Sequence, residues 1–85
     1  MDREELIERA CEVVSDVLAA NLTDVTLESR LRDDLGAEPV QVVELVGALE
    51  DEFEIELPVD AADQIETVGD VVDFVAEAIE EQSEQ

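Results

Sequence analysis

Apolar residues recur at spacings of three and four in long runs, and polar or Gly/Pro-containing stretches separate the runs. The first run predicts a helix over 2–20. Leu6, Ala10, Val13, Val14 and Val17 mark one face, with Ile7 and Leu18 beside it. Asp2, Glu4 and Glu5 crowd its first turn, where the helix dipole favours anions, and Asn21 is a plausible stop. The second run predicts a helix over 39–53. Leu45, Val46, Leu49 and Phe53 form its apolar face, and Glu44, Glu50, Asp51 and Glu52 lie off it. Gly36 permits a turn before this helix. Pro39 suits its first position, where a fixed φ helps and a missing N–H costs nothing. The third run predicts a helix over 67–81, with Val68, Val71, Val72, Val75 and Ile79 on one stripe and Phe74 and Ala78 on its flank. Thr67 and Asp70 have the spacing of a capping box.

The connections fill in the architecture. Residues 23–38 form a long link, too long to be ordered unless Leu22, Val25, Leu27, Leu31 and Leu35 pin it to the core. Residues 54–59 are a short connector with Ile55 and Leu57 inward, and Pro58 blocks helix continuation. Residues 60–65 have room for one or two helical turns, with Asp60 as N-cap. Residues 83–85 are expected to fray. No strand alternation persists. The predicted fold is all-α: a four-helix bundle with a long loop between helices 1 and 2 and a short third helix.

Length and charge narrow the function. Eighty-five residues suit one domain, 1–85, with an ordered core over about 3–81. Such a chain buries only about 60–65% of its unfolded surface, so a deep substrate pocket is not expected. The net charge is −22, from 26 acidic residues against four basic ones. The basic residues are Arg3, Arg9, Arg30 and Arg32, and lysine is absent. This field disfavours nucleic acid and anionic membranes as partners and favours proteins with basic Arg/Lys patches. A lysine-free, Asp/Glu-rich chain with small aliphatic residues looks like a protein from a salt-accumulating extreme halophile. The lone Cys11 excludes an internal disulfide and is expected to be a half-buried structural thiol. Neither a signal peptide nor an apolar run near 18 residues is visible, so a cytoplasmic monomer is expected.

The segment Asp34-Leu35-Gly36-Ala37-Glu38-Pro39-Val40, followed by Val43-Glu44-Leu45, Leu49-Glu50-Asp51-Glu52-Phe53 and Pro58, resembles the acyl carrier protein family. The family signature there is roughly D-L-G-A-D-S-L-x-x-V-E-L-x-x-x-L-E-E-x-F. The resemblance runs from about Leu6 to Ile79 and implies the same four-helix bundle. It also places the family's serine, which carries 4′-phosphopantetheine, at Pro39, and the preceding aspartate at Glu38. A phosphodiester needs a hydroxyl, and proline has none. The expectation drawn from this is a chain with no cofactor, its phosphopantetheine site lost. The resemblance further implies that partner enzymes contact the second helix, through Glu38, Val40, Val43, Glu44, Gly47, Ala48, Glu50 and Glu52. Gln41 stands where the family often has an acid, and Gly47 where it often has a bulky apolar residue.

Other chemistry finds little support. Ser29 comes too early to be the attachment site, Ser15 lies inside the first helix, and Thr67 reads as a cap. Without histidine the commonest general base is missing, so Cys11 cannot pair with one and no catalytic residue is assigned. Asp60, Asp63, Glu66 and Asp70 do not follow calcium-loop spacing, and no metal site is assigned. The expected function is a non-catalytic interaction or regulatory module, in a lipid or polyketide biosynthesis context by resemblance. One alternative is a genuine acyl carrier protein holding acyl thioesters. A second is an acidic nucleic-acid mimic.

Overall fold

Four α-helices and one 3₁₀ turn make up the regular structure of residues 2–82, which the computed structural model describes. The expected fraying of 83–85 lies outside the described residues. The helices are α1 (Arg3–Leu18), α2 (Pro39–Phe53), α3 (Ala61–Gln64) and α4 (Val68–Gln82), with the 3₁₀ turn at Leu22–Asp24. No strand occurs among the described residues, so the bundle predicted from the apolar spacing is the fold. α1 packs against both α2 and α4, and α3 packs against α2.

Two helices end on a left-handed residue that is not glycine. Ala19 (φ 52°) closes α1 and sends its N–H to the Ser15 carbonyl. Glu54 (φ 54°) closes α2 and sends its N–H to the Glu50 carbonyl. The stop of α1 is therefore Ala19, not Asn21, which instead precedes the 3₁₀ turn.

The core joins all the long elements. Leu6, Ala10, Cys11, Val14 and Leu18 come from α1, Val42, Leu45 and Leu49 from α2, and Val68, Val71, Val72, Val75 and Ala78 from α4. The buried face of α1 is rotated from the predicted one. Cys11 and Leu18 are inside, and Val13 and Val17 are only partly covered, because α1 must meet two neighbours at once. Val42, one turn before the predicted stripe of α2, is also inside. Asp60 precedes α3 but makes no side-chain cap. Its carbonyl accepts from the Asp63 N–H at 3.0 Å, and its carboxylate accepts from Gln64 Nε2 at 2.7 Å.

The long link is ordered by backbone hydrogen bonds more than by leucines. Val25 and Leu31 are buried and Leu35 is half-buried, but Leu22 and Leu27 are exposed. What holds 27–31 is the beginning of α4. The Gly69 N–H donates to the Leu27 carbonyl at 2.9 Å, the Val68 N–H to the Ser29 carbonyl at 3.0 Å, and the Leu31 N–H to the Glu66 carbonyl at 2.9 Å. Gly69 suits this close approach, since a Cβ would stand 3.1 Å from the Leu27 carbonyl oxygen, tighter than an ordinary contact. Ser29 Oγ is buried in the loop, donating to the Asp24 carbonyl and accepting from the Thr26 N–H, each at 3.0 Å. Such a serine is a structural tie, because all its bonds serve the turn.

Candidate functional site

The loop turns into α2 by a sequence of local devices. Asp34 accepts from the Arg30 N–H at 2.8 Å and lies beside the Arg30 guanidinium. These contacts, the backbone bond first, hold its carboxyl below the usual aspartate range. The Ala37 N–H then donates to the Leu31 carbonyl at 2.8 Å, across a turn that Gly36 makes with φ 70°. Glu38 is extended (φ −86°, ψ 157°) and caps the helix. Glu38 and Gln41 close a capping box, with the Glu38 N–H donating to Gln41 Oε1 at 2.9 Å. Gln41 thus does structural duty as an amide where an acid was the comparison. Ala37 before the cap and Val42 after it are both buried, the arrangement of a hydrophobic staple.

Between these anchors Glu38, Pro39 and Val40 stand in solvent. Val40 is 62% exposed and Val43 60%, unusual for valines on a packed helix. Beyond them Glu44, Gly47 and Asp51 are exposed in turn. At 3.6 residues per turn, positions 40, 43, 44, 47 and 51 share an arc of about 100° opposite Leu45 and Leu49. Basic residues are absent from α2.

The eight residues expected to meet partners divide accordingly. Val40, Val43, Glu44 and Gly47 lie together on this arc, with Glu38 at its lower end. Ala48 is half-buried at the margin. Glu50 and Glu52 already have partners within the chain. Glu50 is half-buried, and its Oε2 accepts from the Leu57 N–H at 2.9 Å, fastening the connector after α2. Glu52 pairs with Arg9 of α1 at 2.9 Å, Arg9 Nη2 also donates to the Glu52 carbonyl at 2.9 Å, and the guanidinium lies 4.9 Å from the Phe53 ring centroid. Asp51, by contrast, is exposed, and its carboxylate takes part in no hydrogen bond or ion pair among the described residues. The signal in the sequence was its spacing of seven from Glu44, two helical turns along the same face.

The remaining candidates read as structure. Burial raises the Cys11 thiol above its ordinary value, which disfavours the thiolate. Ser15 Oγ donates to the Ala20 carbonyl at 2.6 Å. Thr67 and Asp70 form the expected capping box, the Asp70 N–H on Thr67 Oγ1 and the Thr67 N–H on Asp70 Oδ2, both at 3.1 Å. Among the described residues no three His, Cys, Asp or Glu side chains are grouped to hold a metal, and no helix is long and apolar enough to cross a membrane.

Comparison with known proteins bears on this helix start. The profile described as "Phosphopantetheine attachment site" matches residues 8–75. An acyl carrier protein of Prochlorococcus marinus (strain MIT 9515) is 44% identical over 75 residues, covering 88% of this chain and 94% of the relative. One from Clostridium perfringens (strain SM101 / Type A) is 41% identical over 75 residues, covering 88% of this chain and 99% of the relative. One from Clostridium acetobutylicum is 40% identical over 76 residues, covering 89% and 99%. These matches correct the expectation of a chain with no cofactor: they indicate phosphopantetheine as the prosthetic group. The exposed residues that open α2, Glu38, Pro39 and Val40, contain no hydroxyl to join a phosphodiester, and Ser29 and Thr26 nearby in sequence are bonded to each other within the loop.

Proposed function

Because the chain belongs to the acyl carrier protein family, we propose that it is a non-catalytic protein recognised by acyl-processing enzymes through the exposed arc of α2. The observation that carries this reading is the arc itself. Two largely exposed valines and the unpaired acids Glu44 and Asp51 lie side by side on a helix without a basic residue. Apolar area supplies the affinity of such a surface, and the acids supply steering toward Arg/Lys patches. Relatives that are carriers rather than catalysts support the absence of a reaction at this site. The lysine-free surface further suits a cytoplasm rich in salt, where screening reduces carboxylate repulsion to about 3 Å at 1 M.

The test is charge reversal. Glu44→Lys with Asp51→Lys should leave the helical circular dichroism intact, since both side chains are exposed. Association with an acyl-processing enzyme from the same host should slow by about tenfold or more, and its salt dependence should fall. Unchanged association kinetics would move the docking face elsewhere.

A second reading, carriage of acyl groups as in the relatives' printed name, is favoured by identities of 40–44% over nearly the whole chain. Intact mass of the protein from its own host, with peptide mapping, tests it. A phosphopantetheine increment and the residue bearing it would establish the reading, and the bare polypeptide mass would count against it.

A further inference from the structure

The centre of the exposed arc has no side chain. Gly47 lies between Val43 and Asp51, one turn from each, and within the arc that also holds Val40 and Glu44. Nothing in the protein comes within 4 Å of where a Cβ at this position would be. Packing therefore does not require glycine, and its φ is not in the left-handed region. Glycine in a helix interior is otherwise unfavourable by up to ~1 kcal/mol relative to Ala. The position leaves bare helix backbone in solvent, with the exposed Val43 one turn before it and the acids Glu44 and Asp51 on the same arc.

We propose that Gly47 determines specificity on this face, by receiving a bulky apolar side chain from a basic amphipathic segment of the partner protein. The inference rests on the docking reading above and adds the shape of the partner. Glu44 and Asp51 are seven residues apart, about 10 Å along the axis. A partner helix with arginines at the same spacing meets both acids while its central apolar side chain lies on the Gly47 backbone against Val43. Charge selects this occupant. A second copy of the chain would bring another net −22 to the same face.

The experiment uses two synthetic helical peptides, each with arginines seven residues apart and either Phe or Ala midway between them. Binding is measured by calorimetry at one fixed KCl concentration, to the protein, to Gly47→Ala, to Gly47→Leu and to the Glu44→Lys/Asp51→Lys double variant. The unsubstituted protein should bind the Phe peptide about tenfold more tightly than the Ala peptide, as expected for burial of one large apolar side chain. Gly47→Leu should abolish that preference, and Gly47→Ala should keep part of it. Both substitutions improve helix propensity and their Cβ meets no neighbour, and helical circular dichroism of each variant separates lost binding from lost folding. Equal binding of the two peptides, or a preference that survives Gly47→Leu, would overturn the role of Gly47 while leaving the docking reading intact. If the double reversal changes binding of neither peptide, the docking reading itself fails.

Discussion

The starts of α2 and α4 are built from the same local device and are used differently. Each has a capping box, Glu38 with Gln41 in one and Thr67 with Asp70 in the other. At α4 the box is covered. Residues 27–31 lie over the first turn and take the Val68 and Gly69 N–H groups with their carbonyls. At α2 nothing lies over the box, and Glu38, Pro39 and Val40 are exposed. A helix start that the chain itself covers is committed to holding the fold. One that satisfies its N–H groups locally, and leaves its outer face bare, is free to meet another molecule.

The comparison has meaning only where the bundle is complete, and salt is the largest lever on that. With 26 acids against four arginines, repulsion acts throughout the small domain. Thermal unfolding between dilute and molar KCl should show a rise in midpoint on the order of 20 °C, or about 3 kcal/mol for a domain of this size. A flat or falling midpoint would remove the electrostatic argument, and the halophilic assignment with it.

Next comes the contrast between the two boxes. Asp70→Ala leaves the half-buried Thr67 N–H and the exposed Glu66 N–H without their charged acceptor, and should cost about 1.5 kcal/mol. Gln41→Ala frees a single N–H that water can reach, and should cost about 0.5 kcal/mol. Urea unfolding of both variants at the same KCl concentration checks the difference. Equal costs would mean that the covered start is not the structural one.

Much of this contrast was legible in the sequence, and the illegible part has a common cause. Pro39 and the spacing through Leu45, Leu49 and Phe53 announce α2 to the residue, and Thr67 with Asp70 announces the α4 cap. These signals are local. The direction in which an acid points once a helix has stopped is not. Glu50 reads as surface charge, yet the left-handed Glu54 turns the chain so that the Leu57 N–H meets it. Glu52 is claimed by Arg9, 43 residues earlier. Leu22 and Leu27 look like anchors, but backbone bonds to α4 hold their loop without burying them. The spacing is enough to put the proposed partner surface on α2, while the division between Asp51 and its acidic neighbours needed the tertiary structure. The expected loss of the prosthetic group rests on one residue, Pro39, whereas the similarity that indicates the group spans residues 8–75.

Asp34 lies where the covering loop leads into the α2 turn, and pH separates its contribution from that of the boxes. Its carboxyl is held low by the Arg30 N–H and guanidinium. The sign follows: stabilisation is complete above the unfolded-state aspartate value of about 3.9, and is lost as pH falls through the lower folded-state value. Asp34→Asn should therefore be less stable than the parent at pH 7, and the gap should close in acid. Denaturant unfolding at matched salt from neutral pH downward reads this. A gap that widens in acid would mean that Asp34 is not held by Arg30 in the folded protein.

The smallest expected effect on stability tests the open start most directly. Glu38→Asp with Pro39→Ser places a hydroxyl at the first position of α2 and a stronger capping residue before it. Nothing covers either side chain, so no neighbour must move. Loss of proline's rigidity should cost about 0.4–1 kcal/mol through the unfolded state, partly offset by the better cap. If the loop and α2 keep the shape that a carrier presents, a broad-specificity phosphopantetheinyl transferase should modify Ser at this position, seen as a mass increment on the peptide that contains it. The same pair of changes at the covered start has no counterpart, because Thr67 already offers a hydroxyl there and spends it on the Asp70 N–H. A folded double variant that stays unmodified would show that an open capping box is not sufficient, and would point to the bare surface at Gly47 as the feature that such an enzyme fails to recognise.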